Sequence, residues 1–219
     1  MKYFKQYALM AAMAAGVALS SNAMASNAYE GYQLYNTYCI FCHGADGKGD
    51  GPLSGKLGKD VKPANLTDVS RMRKRSDKDL FQIIQGTADH AKINGKMPRW
   101  GLAIPGPQIQ SLVSYVRMLH DSKHDVIGDP EAGRKIYANT CSACHGVNGK
   151  GDGIMTNVLP MEPADHTDSD KMGKMSNEKL LNVITNGTTG PKSFMPGYKG
   201  SLSKDEINSL VGYIRLLSY

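Results

Sequence analysis

Cys39-Ile40-Phe41-Cys42-His43 recurs as Cys141-Ser142-Ala143-Cys144-His145, and these two copies of C-x-x-C-H use all four cysteines of the 219-residue chain. The spacing predicts covalent haem attachment, in which two thiols add to the porphyrin vinyl groups and the adjacent imidazole reaches the iron from below. The candidate attachment residues are therefore Cys39, Cys42, His43, Cys141, Cys144 and His145. A zinc site built from two C-x-x-C pairs usually has them about 15–20 residues apart. Here the copies are offset by 102 positions, and a zinc held by thiolates would leave both histidines idle. A thioredoxin-like dithiol wants a βαβ setting, whereas the flanking segments read as helix and glycine-rich loop. A disulfide inside either motif closes so small a ring that it constrains the unfolded chain weakly.

The first 25 residues read as a signal peptide. Lys2 and Lys5 precede an apolar run from Tyr7 to Leu19, and Ala23-Met24-Ala25 supplies a small-x-small exit. The run has 13 residues, and crossing a bilayer takes about 20. Cleavage before Ser26 is expected, with cleavage after Ala23 as the alternative. No later segment is long and apolar enough to span a membrane. The expectation is a soluble, periplasmic protein, its signal peptide cleaved and without a stable membrane anchor.

Beyond the leader the chain divides in two. Gly31-Tyr32-Gln33-Leu34-Tyr35 aligns with Gly133-Arg134-Lys135-Ile136-Tyr137, and the glycine-rich stretch 44–51 aligns with 146–153. Pro63-Ala64-Asn65-Leu66-Thr67-Asp68 recurs as Pro163-Ala164-Asp165-His166-Thr167-Asp168, and Leu112-Val113-Ser114-Tyr115 as Leu210-Val211-Gly212-Tyr213. The offset shrinks from 102 to 98 along the repeat, so loops differ in length while elements correspond. The expected boundaries are 1–25 for the signal peptide, 26–122 for the first domain and 123–219 for the second.

Each copy reads as helical. Asp129-Pro130-Glu131 offers an N-cap, a proline at the first helical position and an acid in the first turn. Ser203 to Glu206 forms a capping box, and Ile207, Leu210, Val211, Ile214 and Leu217 continue a helical stripe. A middle helix is expected to start near Ser76 and Ser176. Gly31 and Gly133 lie one turn before Tyr35 and Tyr137, where a missing side chain lets the first and last helices of each copy approach closely. Such a glycine costs about 1 kcal/mol in helix propensity relative to alanine.

Together these residues resemble the class I c-type cytochromes, specifically their tandem two-domain dihaem members, over essentially the whole chain after the leader. The resemblance implies an all-α fold of two tandem domains, each a few helices wrapped around one covalent haem c. It further implies that the motif histidine is one axial ligand and a methionine from a later loop the other: His43 with Met97, and His145 with Met195. Eight methionines follow the leader, and most methionines fill cores. Met97-Pro98 and Met195-Pro196 stand at matched places, 54 and 50 residues after their histidines. Met72 and Met172 are also matched, but they sit among basic residues, which speaks against an apolar pocket. His90 is the rival ligand in the first half. His166 replaces a leucine of the repeat, and His120 and His124 fall in a stretch expected to be solvated. Trp100 and Tyr198, each three residues beyond its methionine, are candidates to flank a haem edge.

Thioether sulfur favours ferrous iron, and iron ligated from both sides has no vacant position for a substrate. The expected function is a periplasmic dihaem carrier that shuttles single electrons between redox partners, with no catalytic residues and no enzyme activity of its own. The alternative is a haem-bearing subunit of, or a dihaem enzyme in, a larger oxidoreductase system. Charge excludes nucleic acid as a partner. The formal net charge is +6, Lys2 and Lys5 leave with the signal peptide, and the haem propionates offset the rest, so no concentrated basic face remains. Residues 26–122 hold 13 basic and 9 acidic side chains against 11 of each in 123–219. The excess centres on Arg71-Met72-Arg73-Lys74-Arg75, which predicts docking of an acidic redox partner at the first domain.

Overall fold

The computed structural model describes residues 27–88, 97–190 and 193–219. The signal peptide and His90 lie outside the described residues. The first half comprises α1 (Ala28–Leu34), a π-helical turn (Tyr35–Cys39), α2 (Ile40–His43), α3 (Val69–Met72), α4 (Asp77–Gln85) and α5 (Gly106–Asp121). The second comprises α6 (Pro130–Thr140), α7 (Ser142–His145), α8 (Ser169–Met172), α9 (Asn177–Asn186), a hairpin of β1 (Thr188–Gly190) and β2 (Ser193–Met195), and α10 (Lys204–Leu217). The mostly helical expectation holds. The hairpin is the addition: Thr188 pairs with Met195, and three-residue strands are too short to show a period of two in sequence.

The helix starts follow their caps. Asn27 accepts from the Glu30 amide at 2.7 Å and Asp129 from the Glu131 amide at 2.9 Å. Ser76 with Asp79, and Ser203 with Glu206, form reciprocal capping boxes. In the first half the helix widens into its π turn just before the C-x-x-C-H motif, whereas α6 remains α-helical up to Thr140. Wide turns of this kind concentrate at functional sites.

Each half closes by its first helix crossing its last. A Cβ added at Gly31 would be driven into the Ser111 carbonyl of α5, and one at Gly133 into the Ser209 carbonyl of α10. The crossing lets Ile109, Leu112 and Val113 on one side, and Leu210 and Val211 on the other, bury almost completely.

The halves meet through equivalent positions. Tyr29 aligns with Glu131, and its hydroxyl donates to the Glu131 carboxylate, which Gln33 Nε2 also approaches at 3.4 Å. The Tyr29 ring meets Tyr213 edge-on at 5.0 Å, and Tyr213 continues to Tyr137 at 5.2 Å. His124 Nε2 lies 3.1 Å from the Gly173 carbonyl, tying the connection to the second half. His120 departs from its expected solvation. It belongs to the last turn of α5, is buried, and its Nδ1 donates to the Val116 carbonyl at 3.0 Å.

Gly31→Ala or Gly133→Ala should lower unfolding free energy by about 1–3 kcal/mol through forced helix separation, as read by urea denaturation of the haem-loaded protein. Hydrogen bonds from Arg134 and Tyr29 hold the Glu131 carboxyl below its usual 4.5. Its contribution is therefore complete above that value and lost as pH falls through the lower folded value. The urea midpoint difference between the parent and Glu131→Gln should be constant near neutrality and shrink in acid.

Candidate functional site

The two C-x-x-C-H motifs end helices at matched glycine-rich loops, and each motif opens onto a cleft. The first cleft, about 250 Å³, brings together Cys39, Cys42, His43 and Met97. The second, about 80 Å³, brings together Cys141, His145 and Met195, with Cys144 outside its lining. Apolar side chains of the middle and last helices form the remaining walls: Leu80, Ile84 and Leu112 in the first, Leu180, Ile184 and Leu210 in the second.

The loop after each motif returns an alanine carbonyl to the histidine. His43 Nδ1 is 3.0 Å from the Ala64 carbonyl, and His145 Nδ1 is 2.9 Å from that of Ala164. A carbonyl only accepts, so the proton sits on Nδ1 and leaves Nε2 with a free lone pair. Burial pulls both imidazoles below their ordinary pKa, keeping them neutral. A neutral ring oriented by a hydrogen bond from its other nitrogen is the arrangement that suits a metal ligand. Burial, and then the neighbouring cysteine, pushes the Cys39 and Cys141 thiols up to about 12. All four cysteines are free thiols.

Some residues stand where the sequence did not put them. Met72 and Met172 are buried, at 3% and 2% exposure, and line the clefts; alternate residues around a four-residue helix turn inward whatever the charge of their neighbours. Arg71 and Arg75 line the first cleft together with Lys62, while Arg73 pairs with Asp121 at 3.4 Å. His166, visible in sequence only as a replaced leucine, lies flat on His145 with ring centroids 4.3 Å apart. It shares a 3.0 Å hydrogen bond with the Tyr137 hydroxyl, and burial pushes its pKa down to about 3. The equivalent Tyr35 donates to the Gly44 carbonyl at 2.7 Å. Trp100 lines the first cleft and packs 5.4 Å from Tyr38, whereas the Tyr198 hydroxyl reaches the Thr140 carbonyl at 3.5 Å.

A family model for subunit III of cbb3-type cytochrome c oxidase matches residues 26–116 and again 128–214. The chain belongs to that family. Among curated relatives, it is 27% identical over 218 residues to the cbb3-type cytochrome c oxidase subunit FixP of Bradyrhizobium diazoefficiens, covering 97% of this chain and 69% of the relative. It is 27% identical over 189 residues to subunit CcoP of Rubrivivax gelatinosus, covering 86% and 54%. The chain thus spans between about half and two thirds of the length of these relatives. A solved chain of the Kuenenia stuttgartiensis reducing HAO-like protein complex aligns at 25% identity over 86% of this chain and 95% of that one, with a TM-score of 0.35.

The two family domains carry two covalently bound haem c groups. The donor set of the clefts fits them: thiols to form the thioether links, a neutral imidazole with a free Nε2, a thioether and apolar walls.

The relatives overturn two expectations. They are subunits of an oxidase, an enzyme complex, so a carrier standing apart from any enzyme is corrected. That expectation rested on the ligand set that the resemblance implies, which bears on one iron site and says nothing about the assembly in which the chain works. Free residence in the periplasm after cleavage is corrected by the same finding. That inference rested on the leader pattern, which speaks to export and not to what holds the chain afterwards. Among the described residues no helix is long and apolar enough to cross a membrane.

Met72→Leu and Met172→Leu, volume-conserving changes inside the clefts, should each cost less than about 1.5 kcal/mol in urea denaturation and leave the near-infrared sulfur-to-iron band of both haems intact.

Proposed function

We propose that the chain is an electron-relaying subunit of a cbb3-type cytochrome c oxidase, taking single electrons from a donor protein and passing them to partner subunits of the complex. One observation supports this above the rest: the cleft with its Nδ1-anchored histidine and its methionine is built twice, in both halves that the oxidase-subunit family matches. In this reading the chain consists of the domains 26–122 and 123–219. Cys39 and Cys42 hold the first haem and Cys141 and Cys144 the second. His43 with Met97, and His145 with Met195, supply the axial ligands.

When bound, each haem supplies reversible one-electron exchange between ferric and ferrous iron. The residues do the rest. The Ala64 and Ala164 carbonyls hold the imidazoles in one tautomer and one orientation, limiting rearrangement on electron gain. Thioether ligation favours the ferrous state and raises the potential. The apolar walls exclude water. The cationic rim of the first cleft, Arg71 and Arg75, is suited to steering an acidic partner towards that half.

Met97→Ala and Met195→Ala should each remove about half of the sulfur-to-iron band and let one haem bind carbon monoxide. An unchanged band in the Met97 variant would pass that ligand role to His90. Isolation of the tagged chain from its own host should bring the catalytic oxidase subunit in stoichiometric amount; recovery of the fully haem-loaded chain without it would contradict the assignment.

A further inference from the structure

The two clefts share their ligand-bearing walls and differ in charge. Lys62, Arg71 and Arg75 line the first and, among the described residues, no acidic side chain does; Lys62 and Arg71 are exposed and Arg75 is half-buried. Among the described residues no ion pair or hydrogen bond engages the guanidinium groups of Arg71 and Arg75. The repeat replaces each of the three. Lys62 becomes Glu162, Arg75 becomes Met175, which lines the second cleft, and Arg71 becomes Lys171, exposed like Arg71 but paired to Asp168 at 2.9 Å and outside the cleft lining. Asn65 becomes Asp165 as well. Among the described residues no charged side chain lines the second cleft.

One difference runs the other way. Arg117 and Arg215 occupy equivalent places and donate to the backbone carbonyls of Met72 and Met172, but the first faces Asp77 at 2.6 Å and the second Asn177. Neither arginine lines a cleft, and Arg215, buried and facing an amide in place of a carboxylate, is the one opposing influence, a single cation behind the backbone of the second cleft against three in the wall of the first.

We infer that Lys62, Arg71 and Arg75 make the first haem the higher-potential centre of the pair, so that a chain holding one electron keeps it in the first half. The inference rests on the proposed placement of one haem in each cleft. Reduction lowers the charge of the iron by one, and cations in the wall favour the reduced form while an acid and apolar groups do not. The internal step balances: one electron leaves ferrous iron in the second cleft, and the same electron converts ferric iron in the first to ferrous. Arg71 and Arg75 thus act on the cofactor as well as on a docking partner.

The test is a spectroelectrochemical titration of the full-length, haem-loaded chain. Two midpoints are expected in the parent. The double variant Arg71→Gln with Arg75→Met should lower the upper midpoint by a tenfold shift in the one-electron equilibrium, about 59 mV, and leave the lower one in place. Met175→Arg should raise the lower midpoint and leave the upper. Movement of the lower midpoint in the double variant, equal movement of both, or movement of neither would overturn the inference. If the double variant does not accumulate, Lys62→Glu gives the same reading, because its backbone contacts are untouched. Haem count keeps the two ideas apart: two covalent haems with the wrong midpoint moving sinks the ordering alone, whereas fewer than two in the parent sinks the placement and the ordering with it.

Discussion

The contact of helix backbone on helix backbone at Gly31 with Ser111, and at Gly133 with Ser209, is what the remainder of each half depends on. Two helices that approach this closely bring the C-x-x-C-H segment, which follows the first helix, against the wall formed by the last. The cleft is the space left between that pair, the middle helix and the methionine loop. A bulkier residue at the crossing would move the histidine relative to everything it faces.

Duplication then sets how the halves meet. Tyr29 and Glu131 occupy the same position of the repeat and bond to each other, while the helix contact between the halves is made by α1 against α10. Tyr29, Tyr213 and Tyr137 form a continuous file of rings from one half into the core of the other. The symmetry is broken in chemistry: a π turn, a leucine at position 66 and three cations on one side; a regular helix, a histidine at position 166 and an acid on the other.

Much of this could be read from the residues. The paired motifs located the clefts, the offsets matched the elements of the two halves, and the matched glycines announced the helix crossing. Arg71 and Arg75 were read as partner-facing because a charge run was taken as one surface. Their spacing of four was itself the signal that they share a side, with Met72 turned inward and Arg73 turned towards Asp121. His120 was placed in a linker because α5 ends without a glycine cap to mark its last turn. His166 had no local signature, since its surroundings come from Tyr137 and His145, distant in sequence. A subunit of a larger oxidoreductase system was reached only as the alternative, because the physics of an iron site is the same in a free carrier and in a subunit; kinship to the oxidase-subunit family is what favours it.

The proposed relay turns on two haem irons, each of which would be held between a motif imidazole and a methionine thioether. The most direct measurement is a carbon monoxide titration of the fully reduced, haem-loaded chain, followed in the visible spectrum. No uptake is expected at either haem, because both axial positions are filled by the protein. Stoichiometric binding at one haem in the unmodified chain would contradict that two-sided ligation.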